Sequence, residues 1–183
     1  MILWVSGKIA SGKSEVLKVF EEEGFFCIDA DKIVHEFYEP GGLGALKVLE
    51  LFGEEFLDEE GAVNRTKLRD LVFFDTEALG RLNESIHPLV FDEIQKRLPK
   101  EGDIAIEAAF LSENLFEKIL WVERSGKEIL KCLIEERGFG IDLAEKTLSL
   151  VLKPLKFDFV LENNAGLNDL EKSTKMIAWN LKQ

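Results

Sequence analysis

Apolar positions along the chain follow two patterns that alternate. Short, nearly unbroken apolar runs occur at ILWV (2–5), FFCI (25–28), DIAIEA (103–108), ILWVE (119–123) and FDFVL (157–161). Runs of that length read as strands buried in a parallel sheet. Helical spacing fills the stretches between them. EVLKVFEEE (15–23) sets Val16, Leu17, Val19 and Phe20 among charges, and Gly24 ends it. A helix is predicted through Tyr38, then a turn at EPGG (39–42) and a helix over 44–53 closed by Gly53. Asn64 is the predicted N-cap of a helix over 65–73, with Leu68, Leu71 and Val72 on one face. Thr76 is the predicted cap of the next. That helix should break at His87–Pro88, because a residue before proline avoids the helical region, and Pro88 should open another through Leu98. Ser125 with Glu128, and Asp142 with Glu145, spell two capping boxes, for a helix through Arg137 and one ending before Pro154. The last helix is predicted over 169–181, with Leu170, Met176, Ile177 and Leu181 on its apolar face.

Five strands mostly separated by helices predict an α/β fold, a five-stranded parallel sheet covered on both faces. Residues 62–98 are helical throughout and interrupt the alternation. They predict a helical insertion in a core made of 1–61 and 99–183.

Composition narrows the class. At 183 residues, with 46% apolar and 32% charged, the chain suits one folded domain with a small insertion. The net charge of −12 argues against a general nucleic-acid or membrane-surface binder, which needs a basic patch. Any anionic ligand must therefore meet a local positive site. Cys27 and Cys132 match no metal spacing and suggest no disulfide framework. No apolar run reaches membrane-spanning length, and the N-terminus enters a strand without a basic leader, so a cytoplasmic location is expected.

The candidate chemistry starts at GKIASGKS (7–14), which fits G-x-x-x-x-G-K-[ST]. Gly7 and Gly12 let the backbone curl so that successive N–H groups meet phosphate oxygens. Lys13 supplies a point charge for the β- and γ-phosphates, and Ser14 a hydroxyl for magnesium. A strand before and a helix after supply the context the motif requires, and the helix N-terminus adds its own attraction for anions. DAD (29–31) falls at the carboxyl end of the second strand, where ligands of open α/β sheets bind. Asp29 and Asp31 are candidates for substrate or magnesium work, and one of them also suits an N-cap. DEEG (58–61) has the letters of a GTPase D-x-x-G, but its polar surroundings predict a turn, and no N-K-x-D follows. Arg65 and Arg69, one helical turn apart, suit an anionic ligand or a solvated face. Glu107 lies near the end of the third strand and Glu113 a little beyond it. GFG (138–140) makes a hinge-like break, and the helices around it could close over phosphates with Arg137 at the hinge, or form an ordinary helix–turn–helix.

Together GKIASGKS, CIDADKIVHEFYEPG (27–41), NRTKLRDLVF (64–73), LNESIHPLV (82–90) and FVLENN (159–164) resemble the dephospho-coenzyme A kinase family, in order and over nearly the whole chain. The resemblance implies a P-loop kinase core with a helical substrate domain and a lid over about 137–153. It implies transfer of the γ-phosphoryl of ATP, with magnesium, to the ribose 3′-hydroxyl of dephospho-coenzyme A, the last step of coenzyme A synthesis. Asp31 then looks like the carboxylate that accepts the hydroxyl proton, and Asp29 would support it or the magnesium shell. Arg65 and His87 would hold the acceptor. Lys13 and Arg137 would serve the transferring phosphoryl group, with Lys153 after the lid. Gly7, Ala10, Ser11, Gly12, Lys13, Ser14 and Glu15 would bind ATP phosphates, Ser14 the metal, and Asn163 would lie by the adenine. A monomer acting on a small molecule, with no nucleic-acid or membrane partner, is expected. Lys8, Ala10 and Glu15 stand where the family has Gly, Gly and Thr. EAAFLSE (107–113) keeps only the acidic ends and a leucine of D-x-P-L-L-x-E, and Cys132 replaces an arginine. Two other readings stay open: a related P-loop kinase for another metabolite, and a nucleotide-binding regulator that has lost catalysis.

Overall fold

The computed structural model describes residues 1–108, 115–150 and 156–183. These residues form two compact units, Met1–Asp29 with Pro99–Gln183, and Ala30–Leu98.

In the first unit, β1 (Ile2–Gly7), β2 (Phe26–Asp29), β3 (Ile104–Glu107), β4 (Lys118–Glu123) and β5 (Phe159–Glu162) form one sheet in the order β2-β3-β1-β4-β5. Every pairing is parallel, with Val5 opposite Glu107 on one side and Leu120 on the other. Alternation of side chains across the strands sends Leu3, Val5, Ala105, Leu120, Val122 and Leu161 into one core. The helices α1 (Lys13–Glu22) and α8 (Leu167–Leu181) cover it with Val16, Leu17, Phe20, Leu170 and Ala178. Trp4 and Trp121, the bulkiest apolar residues of the central strands, are buried too, and their indole N–H groups donate to the Ala108 carbonyl and to Glu123. Met176, predicted on the apolar face of α8, is exposed instead, because the buried stripe runs through Leu170, Thr174 and Ala178.

After β4, α6 (Gly126–Lys131) starts at Ser125, whose hydroxyl accepts from Glu128 N–H. The reciprocal half of that box is absent: the Ser125 N–H donates to Asn164 Oδ1 at 2.9 Å. The helix continues as one π-helical stretch, Cys132–Glu136, and Arg137 follows. α7 (Ile141–Leu150) begins one residue before Asp142, which therefore lies in its first turn and not at its cap.

In the second unit, α2 (Ala30–Phe37), α3 (Leu43–Phe52), α4 (Arg65–Phe74) and α5 (Thr76–Arg97) pack together. This unit opens at Ala30, earlier than the expected 62, because α2 and α3 pack against α5. Asn64 caps α4 as expected, accepting from Lys67 N–H. The cap of α5 is Asp75, not Thr76: its carboxylate accepts from the N–H groups of Glu77 and Ala78. The predicted break at His87–Pro88 does not occur, and α5 runs through Pro88. Ala78, Leu82, Ile86, Val90 and Ile94 are all buried at spacings of four, so one apolar stripe spans the proline and its packing outweighs one missing hydrogen bond. DEEG is a turn in which Asp58 Oδ1 accepts from Glu60 and Ala62 N–H.

Candidate functional site

The phosphate loop sits at the carboxyl end of β1, the central strand, and opens α1. Ser11 N–H donates to the Lys8 carbonyl at 3.1 Å and closes the turn. Gly12 takes φ +102° and Ala10 takes φ +56°. Ala10 is the one non-glycine with a left-handed φ among the described residues, a conformation that costs an L-residue roughly 1–2 kcal/mol. Gly7 has no room for a side chain, since a Cβ there would lie 2.6 Å from the Val122 carbonyl oxygen and 2.6 Å from Ser11 Oγ. At Gly12 a Cβ would lie 2.5 Å from Asn163 Nδ2.

Lys13 folds back over the loop. Its ammonium donates to the Lys8 carbonyl at 3.2 Å and lies 3.8 Å from Glu107 Oε1. Ser14 Oγ donates to the same carboxylate oxygen at 3.4 Å. Glu107 is only 4% exposed, so this charge is held out of water at the end of β3, beside both motif side chains. Register places it there: Glu107 pairs with Val5 of β1 and with Asp29 of β2, so all three strand ends reach the same rim. Asp29 is half-buried at that rim.

Two further side chains hold the loop. Asn163, just past β5, donates from Nδ2 to the Ser11 carbonyl at 2.8 Å. Arg124, just past β4, donates from Nη1 to the Ala10 carbonyl at 2.8 Å. Ile9 and Ala10 pack on the cluster Ile129, Leu133 and Ala144, with Phe139 of the hinge. Glu15 pairs with Lys18 at 2.8 Å, so the negative charge that departs from the family pattern carries its own counter-ion.

The first unit thus gathers Gly7, Ala10, Ser11, Gly12, Lys13, Ser14, Glu15 and Asn163. Arg137 is exposed at the end of the π-helical stretch, ahead of Gly138 with φ +68°. In the second unit, Asp31 is exposed in the first turn of α2, and Arg65 is exposed at the start of α4. The Arg65 charge bears on Tyr38, whose phenol burial pushes up to about 12 against it. His87 is half-buried in mid-helix, and burial holds its imidazole below the ordinary value. Glu113 and Lys153 lie outside the described residues.

Sequence reasoning missed Arg124 and undervalued Glu107. Glu107 was legible as an acidic residue near the end of a strand, but only the sheet order puts that strand beside the motif's own. Nothing in the sequence marks Arg124, because its role depends on how β4 and the loop meet.

A five-stranded parallel sheet with a G-x-x-x-x-G-K-S loop leaving its central strand, and a lysine and serine converging on a buried carboxylate, defines a P-loop kinase fold. The family model for dephospho-CoA kinase matches residues 1–138, and the chain belongs to that family. A dephospho-CoA kinase of Fusobacterium nucleatum is 35% identical over 96% of this chain and 95% of its own length. One from Aquifex aeolicus is 32% identical over 94% and 93%. A solved structure from Thermus thermophilus superposes with a TM-score of 0.78 at 23% identity, covering 99% of this chain and 97% of its own, which speaks for the fold. As a P-loop kinase the chain binds ATP and acts on a small molecule. Among the described residues no helix is long and apolar enough to cross a membrane.

Proposed function

We propose that this chain transfers the γ-phosphoryl group of ATP to the 3′-hydroxyl of dephospho-coenzyme A. The observation that carries the reading is the formed phosphate cradle, with Lys13 held over it, in a chain of this family. Phosphoryl transfer asks a protein chiefly for positioning and for charge opposite the developing phosphate negative charge. The loop N–H groups and Lys13 supply that charge. Ser14 Oγ and Glu107 Oε1, 3.4 Å apart, are hard oxygen donors that fit a magnesium ion shared with the nucleotide. Magnesium, when bound, supplies further neutralisation of the phosphates.

Asp31 accepts the proton of the acceptor hydroxyl, supported by Asp29. Arg65 and His87 of the helical unit hold the acceptor nucleotide. His87 does so as a neutral imidazole until an anionic ligand raises its proton affinity. Arg137 serves the transferring phosphoryl group from beside the hinge at 138–140. Asn163 lies by the adenine and offers its Oδ1, since its Nδ2 is committed to the loop. The protein works in the cytoplasm as a monomer.

The test is ADP release with dephospho-coenzyme A as acceptor, set against a panel of nucleosides and small hydroxylated metabolites. Turnover fastest with dephospho-coenzyme A is expected. A better acceptor in the panel would make the chain a related kinase, and nucleotide binding with no turnover on any acceptor would make it a regulator.

A further inference from the structure

We infer that Arg124 is a positioning residue for the nucleotide phosphates, acting through the carbonyl of Ala10. The inference rests on the nucleotide-binding reading above and adds a residue that the motif does not contain.

A phosphate cradle needs its N–H groups aimed inward, and because each peptide unit is planar its carbonyl must then point away. In this chain two consecutive outward carbonyls are held by side chains. Asn163 takes the carbonyl of Ser11, which fixes the peptide unit carrying the Gly12 N–H. Arg124 takes the carbonyl of Ala10, which fixes the unit whose Ser11 N–H closes the turn on Lys8. Both holders come from the carboxyl ends of neighbouring strands, β4 and β5. Those ends are tied to each other, since Asn163 N–H donates to the Glu123 carbonyl at 2.8 Å and Ser125 N–H to Asn164 Oδ1 at 2.9 Å. The two holders are therefore tied to each other where they meet the loop.

The Ala10 end is the one that needs holding. Ala10 sits at φ +56°, a conformation a glycine would adopt without penalty. Relaxing to negative φ would swing the Ala10 carbonyl off Arg124 and reorient the peptide unit that closes the turn. A charged donor on a carbonyl is among the stronger single hydrogen bonds, of the size needed to offset that strain. The chain has 35 acidic residues against 23 lysines and arginines, yet among the described residues the half-buried Arg124 has this carbonyl as its partner and no salt bridge.

The experiment is calorimetric titration of the full chain with ADP, with a non-hydrolysable ATP analogue and with AMP, for wild type, Arg124→Gln and Arg124→Lys. AMP lacks the β- and γ-phosphates, which the loop and Lys13 hold. Arg124→Gln is expected to weaken ADP and the analogue by about tenfold to a hundredfold, the range for a hydrogen bond from a charged group. AMP affinity and the melting temperature of the free protein should stay unchanged. Arg124→Lys should recover most of the loss, because it keeps a charged N–H donor on a long side chain, whereas the glutamine amide is neutral and shorter. Unchanged ADP affinity in Arg124→Gln overturns the inference. Equal losses for AMP and ADP with a lowered melting temperature make Arg124 merely structural and overturn it too. A lysine variant as weak as the glutamine variant would show a forked contact to phosphate and would likewise overturn it. Wild type that binds ADP but makes no coenzyme A refutes the proposed reaction, while the ADP comparison still decides the role of Arg124.

Discussion

Replacing Glu107 by Gln removes the charge that Lys13 faces in the free protein while keeping the shape of the side chain. At 3.8 Å and an effective dielectric constant of about 20, the gross attraction between the two is about 4 kcal/mol. Both side chains are nearly out of water, at 10% and 5% exposure, so solvent does little to replace the lost partner. Removing one member of a buried pair costs about 3–5 kcal/mol, and Gln should fall at the lower end because its amide oxygen still accepts from Ser14. For a chain of this size about 3 kcal/mol lowers the melting temperature by about 6–12 °C. Nucleotide binding should move the other way. Lys13 is released and a negative charge is gone, so metal-free ADP should bind more tightly. If a third of the gross attraction is redirected to phosphate, about 1.4 kcal/mol, the gain is about tenfold. The advantage that magnesium gives to ATP binding should shrink, since a hard oxygen donor has been weakened. Melting curves and titrations with and without magnesium read all three effects. An unchanged melting temperature together with unchanged metal-free ADP affinity would refute the pairing of Lys13 with Glu107.

Asp31→Asn should cut turnover by about 10²–10⁴-fold, the range for loss of a general base, with nucleotide affinity intact; near-normal turnover would remove Asp31 from proton transfer. Gly7→Ala should abolish binding of ADP, because its Cβ would meet the backbone oxygen of Val122 at 2.6 Å, and titration with ADP checks this. His87 makes stability depend on pH. Burial lowers its folded pKa, so the unfolded chain binds the proton more readily once pH falls below about 6.5. Stability attributable to His87 is therefore complete above that pH and is lost as pH drops through the folded value. His87→Gln should melt with a flatter pH profile than wild type between pH 7.5 and 5, and parallel profiles would contradict the assignment.

Much of the fold is legible in the apolar pattern because a parallel sheet buries its strands on both faces, so each strand is a short apolar run bounded by polar residues. Helix ends are less legible. Asp75 and Thr76 are both good caps, and only the geometry of the entering chain selects Asp75. The predicted break before Pro88 fails because a local preference of the backbone is weaker than a buried stripe continuing from Ile86 to Val90 and Ile94. The phosphate loop is readable because its spacing is local. Its supports are less so: Glu107 shows only as an acid near a strand end, Asn163 only through the family resemblance, and Arg124 not at all, because they reach the loop from distant points of the chain, at the ends of three different strands. The exposure of Met176 follows from a small shift in which face of α8 meets the sheet, a choice that Thr174 settles by burying its hydroxyl against the Leu170 carbonyl.

The most direct measurement incubates the purified chain with ATP, magnesium and dephospho-coenzyme A and follows the acceptor by mass spectrometry, with phosphorus NMR to locate the new group. One added phosphoryl group per acceptor is expected, placed on the ribose 3′-oxygen, with ADP formed in equal amount. ATP bound by the chain, with the acceptor recovered at its original mass, would contradict the proposed reaction.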